Sequence, residues 1–403
     1  MDAGTRAWRV VMHAALRLYL VLLGAATRFG PATPRPARGR QILLTGTFQS
    51  HNWIRAHIGP LAASSECAGL TMVTASTLPP LPKVRALSPP AWLAAIGGET
   101  PARLLTFVAA GLWLRPDVIG GFHLLVNGLV AALLARVAGA ESWYFAVGGP
   151  TELLDGGVRG ENPYFARLRV PDPLVEGRLL QAVANVDLVI TMGSGARDFL
   201  RAHEVKSNIE IVAGGIDPIA FDANRRAPEF DLVLVARLVP IKQIDLYLRV
   251  IALVQRSVPG VKAAIVGDGP LRAELEREAA SLGIREAVTF AGQQSDVAAW
   301  LSRSRIFMLT SSSEGLALSL MEAMMCGLPA VVSRVGDLSD LVSEGENGYL
   351  IEGSSAEAFA AAIVPLLQDA PRYAAFSHAA RRSALRYTTE ATTLKWNEIL
   401  ARP

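Results

Sequence analysis

Apolar residues along this chain fall into two alternating styles: short unbroken runs, and longer stretches where they recur every three or four positions. The run QILLTG (41–46) closes on a polar, glycine-marked turn, as a strand buried on both faces of a parallel sheet does. WIRAHIGPLAAS then has helical spacing, LTMVTAS reads as a strand and PARLLTFVAAGLWL as an apolar helix. DVIGGF, SWYFAVGG and DLVITMG continue as strands, separated by the helical stretches NGLVAALLARVAG and EGRLLQAVANV. The alternation pauses at VAGGIDPIAFDANRRAPEF (212–230) and then restarts with DLVLVAR, VKAAIVGD, AVTFAG, RIFMLTSSS and PAVVSRV as strands. Strands and helices in strict alternation predict parallel sheets covered on both faces.

The expected fold class is therefore α/β, with two doubly wound Rossmann-like domains facing a cleft. Residues 39–212 form the first domain, 213–230 a linker and 231–385 the second domain. Residues 386–403 are expected to be a helix returning to the first domain. In open sheets of this kind ligands bind beyond the carboxyl ends of the strands, so the cleft is the expected site.

The first 38 residues stand apart. Arg9, His13 and Arg17 recur every fourth position and make one stripe of a helix. Trp8, Val11, Met12, Ala15, Leu16, Tyr19, Leu22 and Leu23 make the opposite face. The unbroken apolar run, Leu18 to Ala26, is shorter than a bilayer requires, so the pattern predicts a basic amphipathic helix lying in a membrane interface. A signal segment and a helix packed on the protein itself are the other readings. A Pro/Arg linker, GPATPRPARGR, follows over 30–40. The protein is expected in the cytoplasm, peripheral to the inner face of the cell membrane.

Composition narrows the class. The chain has 403 residues, 51% of them hydrophobic, enough for two cores. Its formal charge of +3 falls well short of a nucleic-acid binder. The two cysteines, Cys67 and Cys326, sit in apolar stretches, and no His/Cys cluster has zinc spacing, so neither a disulfide framework nor a metal is expected.

The strand ends of the second domain carry the chemistry. VLVARLVPIK sets Arg237 at a strand end and Lys242 five residues on, two cations suited to a pyrophosphate. In IVGDGP, Gly267 opens a tight turn where a ligand can approach the backbone. FAGQQ ends another strand with Gln293 placed to read a nucleobase edge. RIFMLTSSS delivers Glu314, and GLALS (Gly315, Leu316, Ala317, Leu318, Ser319) turns into a helix whose first amides favour an anion. Glu322 follows. Its carboxylate has two readings: one half of a hydroxyl-binding pair with Glu314, or the acid of a Ser319-x-x-Glu322 capping box.

Together these motifs, with SSSEGLALSLMEAMMCGLPAVVSRVG and SEGENGYLI, resemble the retaining glycosyltransferases of family 4, which have the GT-B fold. The resemblance covers about 210–385 closely and the first domain more loosely, through RPDVIGGFHLLVNGLVAALLARVAG and VDLVITMG. It implies a nucleotide diphosphate sugar donor, with Arg237 and Lys242 on the diphosphate, Glu314 on the donor sugar and Glu322 on the ribose. The amides of Leu316 to Ser319 would meet the phosphates and sugar, and Gly267 and Gln293 would border the base. It also implies front-face transfer with retention, no cofactor and no metal.

The first domain departs from the family. A histidine usual at the end of the strand SWYFAVGG is absent, and VGGPTE stands there instead. The usual glycine-pair loop is replaced by TGTFQSHNW, leaving Gly46 and His123 as the first-domain candidates for substrate contact. The basic N-terminal helix suggests a lipid-linked or surface-glycan acceptor. An epimerase or hydrolase on the same fold, or a non-catalytic membrane-bound protein that binds nucleotide sugars, are the alternatives.

Overall fold

The computed structural model describes residues 3–26, 39–48, 50–158, 163–221 and 227–402; residues 27–38, most of the expected Pro/Arg linker, lie outside them, as do 222–226 of the expected interdomain stretch. Contacts divide the chain into two compact units, one of Met1–Gly215 with Glu390–Pro403 and the other of Ile216–Thr389.

The first unit is built on a sheet of seven strands: β1 (Arg40–Thr45), β2 (Cys67–Val73), β3 (Val84–Leu87), β4 (Val118–Phe122), β5 (Glu141–Ala146), β6 (Leu188–Thr191) and β7 (Asn208–Ile211). Their order is β3-β2-β1-β4-β5-β6-β7, with every pairing parallel. Its helices are α1 (Ala3–Ala26), α2 (His51–Ala63), α3 (Ala91–Gly97), α4 (Glu99–Leu114), α5 (Leu129–Ala138), α6 (Pro163–Ala166), α7 (Pro173–Val183) and α8 (Ser194–Ala202).

The second unit has six parallel strands in the order β10-β9-β8-β11-β12-β13: β8 (Phe230–Val235), β9 (Ala263–Val266), β10 (Val288–Gly292), β11 (Ser304–Leu309), β12 (Ala330–Ser333) and β13 (Gly348–Ile351). Helices α9 (Ile244–Ser257), α10 (Arg272–Ser281), α11 (Val297–Leu301), α12 (Leu318–Met325), α13 (Ala356–Gln368) and α14 (Ala370–Ala384) flank them. A last helix, α15 (Thr389–Ala401), packs into the first unit. There Trp396 stacks on Trp143 at 5.5 Å, and Asn397 accepts hydrogen bonds from Ser64 and Ser65.

The central strands are the unbroken apolar runs of the sequence, wholly buried in β4, β6, β9 and β12. In each sheet the winding reverses at one place: between β1 and β4 in the first unit, and between β8 and β11 in the second. Loops leaving neighbouring strands there diverge to opposite faces and open a crevice at their carboxyl ends.

Helix α1 differs from its sequence reading. It runs along α5 and α7 and buries Met12, Leu16 and Leu23 in the core of the first unit. Two of the three residues of the stripe expected to face anionic lipid turn toward the protein instead, while Arg17 stays exposed: Arg9 pairs with Asp172 at 2.6 Å and His13 meets the same carboxylate at 3.1 Å. The reason lies in Asp172, which caps α7 by accepting from the amides of Leu174 and Val175 while almost fully buried. A buried carboxylate demands a cation. The exposed face of α1 carries Val10, Val11, Leu18, Val21 and Leu22 together with Arg6 and Arg17. At 24 residues, α1 is also long and apolar enough to cross a membrane by length and composition, which the short run Leu18–Ala26 did not suggest.

Candidate functional site

In the second unit the site begins at the reversal between β8 and β11. Past β8 the chain makes a short turn, Pro240–Lys242, ended by Gln243 in a left-handed conformation (φ +45°). Past β11, Thr310 donates its hydroxyl to the carbonyls of Lys242 and Gln243, and the Ser312 amide binds the Ile241 carbonyl at 2.9 Å. These bonds lash the two strand ends together, and they bring Lys242 onto Glu314. The ammonium donates to the carboxylate at 2.6 Å, and the Ser311 hydroxyl adds a second donor at 2.5 Å. Both partners are largely buried. The pair is a cation and a carboxylate held at the crevice, with no other acid or base in contact with either among the described residues.

The loop after β12 presses on the same place. Gly336 has φ +55°, and a Cβ there would lie 1.8 Å from the Glu314 carbonyl oxygen. Only glycine allows this approach, which fixes the backbone that carries Glu314. From Glu314 the chain runs through Gly315 and Leu316 to α12, whose N-cap is Ala317 and whose first turn holds Leu318 and Ser319. That N-terminus presents backbone donors outside the intrahelical ladder, a favourable setting for phosphate. Arg237 is exposed in the loop after β8, and Gln293 is exposed just past β10.

Glu322 is a different kind of acid. It lies in the second turn of α12, is 4% exposed, and its side chain has no hydrogen-bond partner among the described residues. Burial pushes its carboxyl up to about 8. The capping-box reading is thereby corrected. The helix begins at Leu318, one residue before Ser319, so the hydroxyl is inside the helix and caps nothing.

The turn at Gly267 also differs from expectation. Gly267 (φ +141°) is needed because a Cβ would sit 1.9 Å from the Ala236 carbonyl oxygen. Protein backbone, the loop leaving β8, occupies the close approach that the sequence reading gave to a ligand. In the first unit Gly46 is buried in the same manner, with the Phe48 ring 2.6 Å from where its Cβ would be. It is covered by Phe48 and Phe122 and so cannot present its backbone to a substrate in this conformation.

His123 fares otherwise. It ends β4 at the first unit's reversal point, with φ +63°, and its Nδ1 lies 2.9 Å from Glu152. Glu152 is the residue that the sequence reading passed over. Its carboxylate also accepts from the amides of Leu124 (2.8 Å) and Gly148 (2.6 Å) and from the Tyr144 hydroxyl (2.9 Å). Burial by itself would push this carboxyl up; His123 and the two amides outweigh it and hold the group below its ordinary range. Behind this cluster the buried Arg103 donates to Thr45 and Asn127, and Asn127 donates to the Phe122 carbonyl, tying the ends of β1 and β4.

Residues 216–383 match the family model of glycosyl transferases group 1. The match takes in nearly the whole second unit and every second-unit residue named above. A GDP-mannose-dependent alpha-(1-6)-phosphatidylinositol monomannoside mannosyltransferase of Mycolicibacterium smegmatis is 35% identical over 165 residues, or 38% of this chain and 43% of its own length. A D-inositol 3-phosphate glycosyltransferase of Mycolicibacterium paratuberculosis is 32% identical over 234 residues, covering 53% of this chain and 52% of its own. The chain spans about half or less of the length of the curated relatives it matches. Among solved structures, sucrose-phosphate synthase from Thermosynechococcus elongatus superposes with a TM-score of 0.71 at 20% identity, covering 89% of this chain and 98% of that one. Anabaena HepE in complex with UDP and glucose gives 0.68 at 18% identity, covering 90% and 100%. At such identities the likeness speaks for the fold, which is GT-B: two parallel-sheet, Rossmann-like units.

Of the residues expected from the sequence, then, the structure brings Lys242 and Glu314 into contact and puts Gly315 to Ser319 directly after them. Glu322 lies deeper on α12, while Arg237 and Gln293 stand exposed after β8 and β10, strands separated by β9. Gly267 and Gly46 serve the packing of the chain itself.

Proposed function

We propose that this protein transfers a sugar from a nucleotide diphosphate sugar, bound by the second unit, to an acceptor bound by the first, with retention of anomeric configuration and without a metal. The observation that carries the reading is the Lys242–Glu314 pair at the reversal of the second sheet, directly before the N-terminus of α12. A diphosphate entering there finds an ammonium and backbone donors, and the carboxylate released by Lys242 is left for sugar hydroxyls. Charge growing on the leaving diphosphate would be stabilised by groups already in place. Family 4 is the group whose motifs fit best. The relatives named above act with GDP-mannose or bear inositol phosphates and phosphatidylinositol glycosides in their names, and the HepE complex contains UDP. Lipid-linked or surface-glycan acceptors suit an N-terminal helix with an exposed apolar face, which supports a peripheral membrane contact at the cytoplasmic side.

Thermal shift with UDP, GDP and their hexose conjugates tests the donor half. Stabilisation of wild type by one nucleoside diphosphate, and its loss in Lys242→Ala, is expected. No stabilisation by any of them would overturn the reading, and turnover of donor to free sugar or to an epimer alone would favour the hydrolase or epimerase alternative.

A further inference from the structure

One apolar feature of the first unit has no place in the chemistry above. A groove of about 510 Å³ runs between α1, α4 and α5. Met12 and Tyr19 line it from α1, Leu112 from α4, and Val130 and Leu133 from α5. Its volume falls in the range of small-molecule sites. Its mouth is open, because Val11, Leu112 and Val137 line the groove and are exposed. Two of these helices also expose Leu105 and Trp113 of α4, the latter 82% exposed, and Leu18 and Leu22 of α1. A patch of this kind marks a binding surface in a protein that is otherwise well packed.

We propose that this groove holds the hydrocarbon chain of a phosphate-bearing lipid. The inference rests on the reading of the first unit as the acceptor side, and names the class of acceptor. Three observations favour that occupant. First, the groove reaches the candidate site: Leu125 and Val126 line it and follow His123 by two and three residues. A chain lying in the groove therefore has an end to offer beside the His123–Glu152 cluster. Second, a cation stands at the groove: Arg167 lies 5.3 Å over the ring of Trp8, another lining residue. A cation beside apolar surface suits an anionic lipid. A second copy of the chain would instead bring two such cations together across a two-fold axis, which is unfavourable. Third, the chain has little else to fill the groove. Residues 27–38, next in sequence to α1, contain four prolines or glycines and three arginines but one large apolar side chain, Phe29. The Tyr19 hydroxyl, buried without a hydrogen-bond partner among the described residues, gives the groove one polar atom.

The test uses the full chain and farnesyl phosphate carrying a photoreactive diazirine at its hydrocarbon end, with labelled peptides mapped by mass spectrometry. Label is expected within α1, α4 and α5, competed by unlabelled farnesyl phosphate and weakly by farnesol. Val130→Trp, which fills the groove, should cut labelling about tenfold, a loss of about 1.4 kcal/mol in binding. Leu112→Lys, at the exposed mouth, should do the same and guards against misfolding of the first variant. UDP and GDP binding, measured on the same samples, should not change in either variant. Label scattered over the surface, or undiminished in both variants, would overturn the proposal. So would a dimer in light scattering whose dissociation uncovers the groove, since a second copy is then the occupant. If labelling behaves as stated while no nucleoside diphosphate binds, the lipid site stands and the glycosyl transfer reading falls.

Discussion

Glu322 shows how much a single buried carboxyl can say. Its ordinary value near 4.5 is raised to about 8 by burial. Between those values the unfolded chain is ionised at this position and the folded chain is not, so the folded state binds the extra proton. Stability must then fall as pH rises from about 4.5 to 8, by at most about 1.4 kcal/mol per unit. Glu322→Gln removes the titration, and its melting temperature should exceed wild type at pH 8 by more than at pH 5. A constant difference across that range would show that the acid is ionised and paired in solution. Ligand hydroxyls donating to this carboxylate would favour ionisation, so donor binding to wild type should release a proton that the Gln variant does not, readable by calorimetry in buffers of different ionisation enthalpy.

At the neighbouring pair the expectation is different in kind. Lys242→Ala leaves Glu314 buried with Ser311 as its remaining donor among the described residues and deletes the cation proposed to meet the diphosphate, so nucleoside diphosphate affinity should fall by about tenfold to a hundredfold, as for loss of one charged hydrogen bond. Equal affinity by titration calorimetry would place the diphosphate elsewhere. Gly336→Ala should be nearly as harmful although it touches no ligand, because its methyl group meets the Glu314 carbonyl. In the first unit, Glu152→Ala strands two amides and the Tyr144 hydroxyl in a buried place. A loss of several kcal/mol in denaturant unfolding is expected. His123→Ala, whose imidazole is half exposed, should be much milder.

Among the elements, the central strands were legible in sequence because both their faces are buried and every position can be apolar. The edge strands β3, β7 and β13 were not. VRAL, NIEI and GYLI are four residues long and carry mixed burial, so no run distinguishes them from loop. The site divides in the same way. Lys242 and Glu314 were legible because each follows its own strand, whereas Glu152 gains its role from His123 and Leu124 just past β4 and from Tyr144 on β5, none of which its own segment announces, as well as from the nearby Gly148 amide. For α1, spacing revealed two faces but not which one meets the protein. That choice is made by Asp172, over 150 residues away. Asp172→Ala should therefore loosen α1, and amide exchange over residues 3–26 should accelerate while that of α12 stays as it was. Unchanged exchange would mean that apolar burial alone seats the helix.

For the whole molecule, the second unit is nested in the chain of the first, whose last helix arrives only after Thr389. Trp396 of α15 is 1% exposed against Trp143 and Phe145, and Lys395 and Arg402 both pair with Glu210. The nesting has a consequence for synthesis. As the chain leaves the ribosome, the first-made sheet has its Trp143 face uncovered until the final stretch emerges, while the second unit can already close upon itself. The unit begun first is thus completed last, and apolar surface stays open throughout translation of the other, a span in which chaperones have something to hold. A chain stopped at residue 388 should keep a cooperative transition for the second unit and lose that of the first, with tryptophan fluorescence shifted to the red.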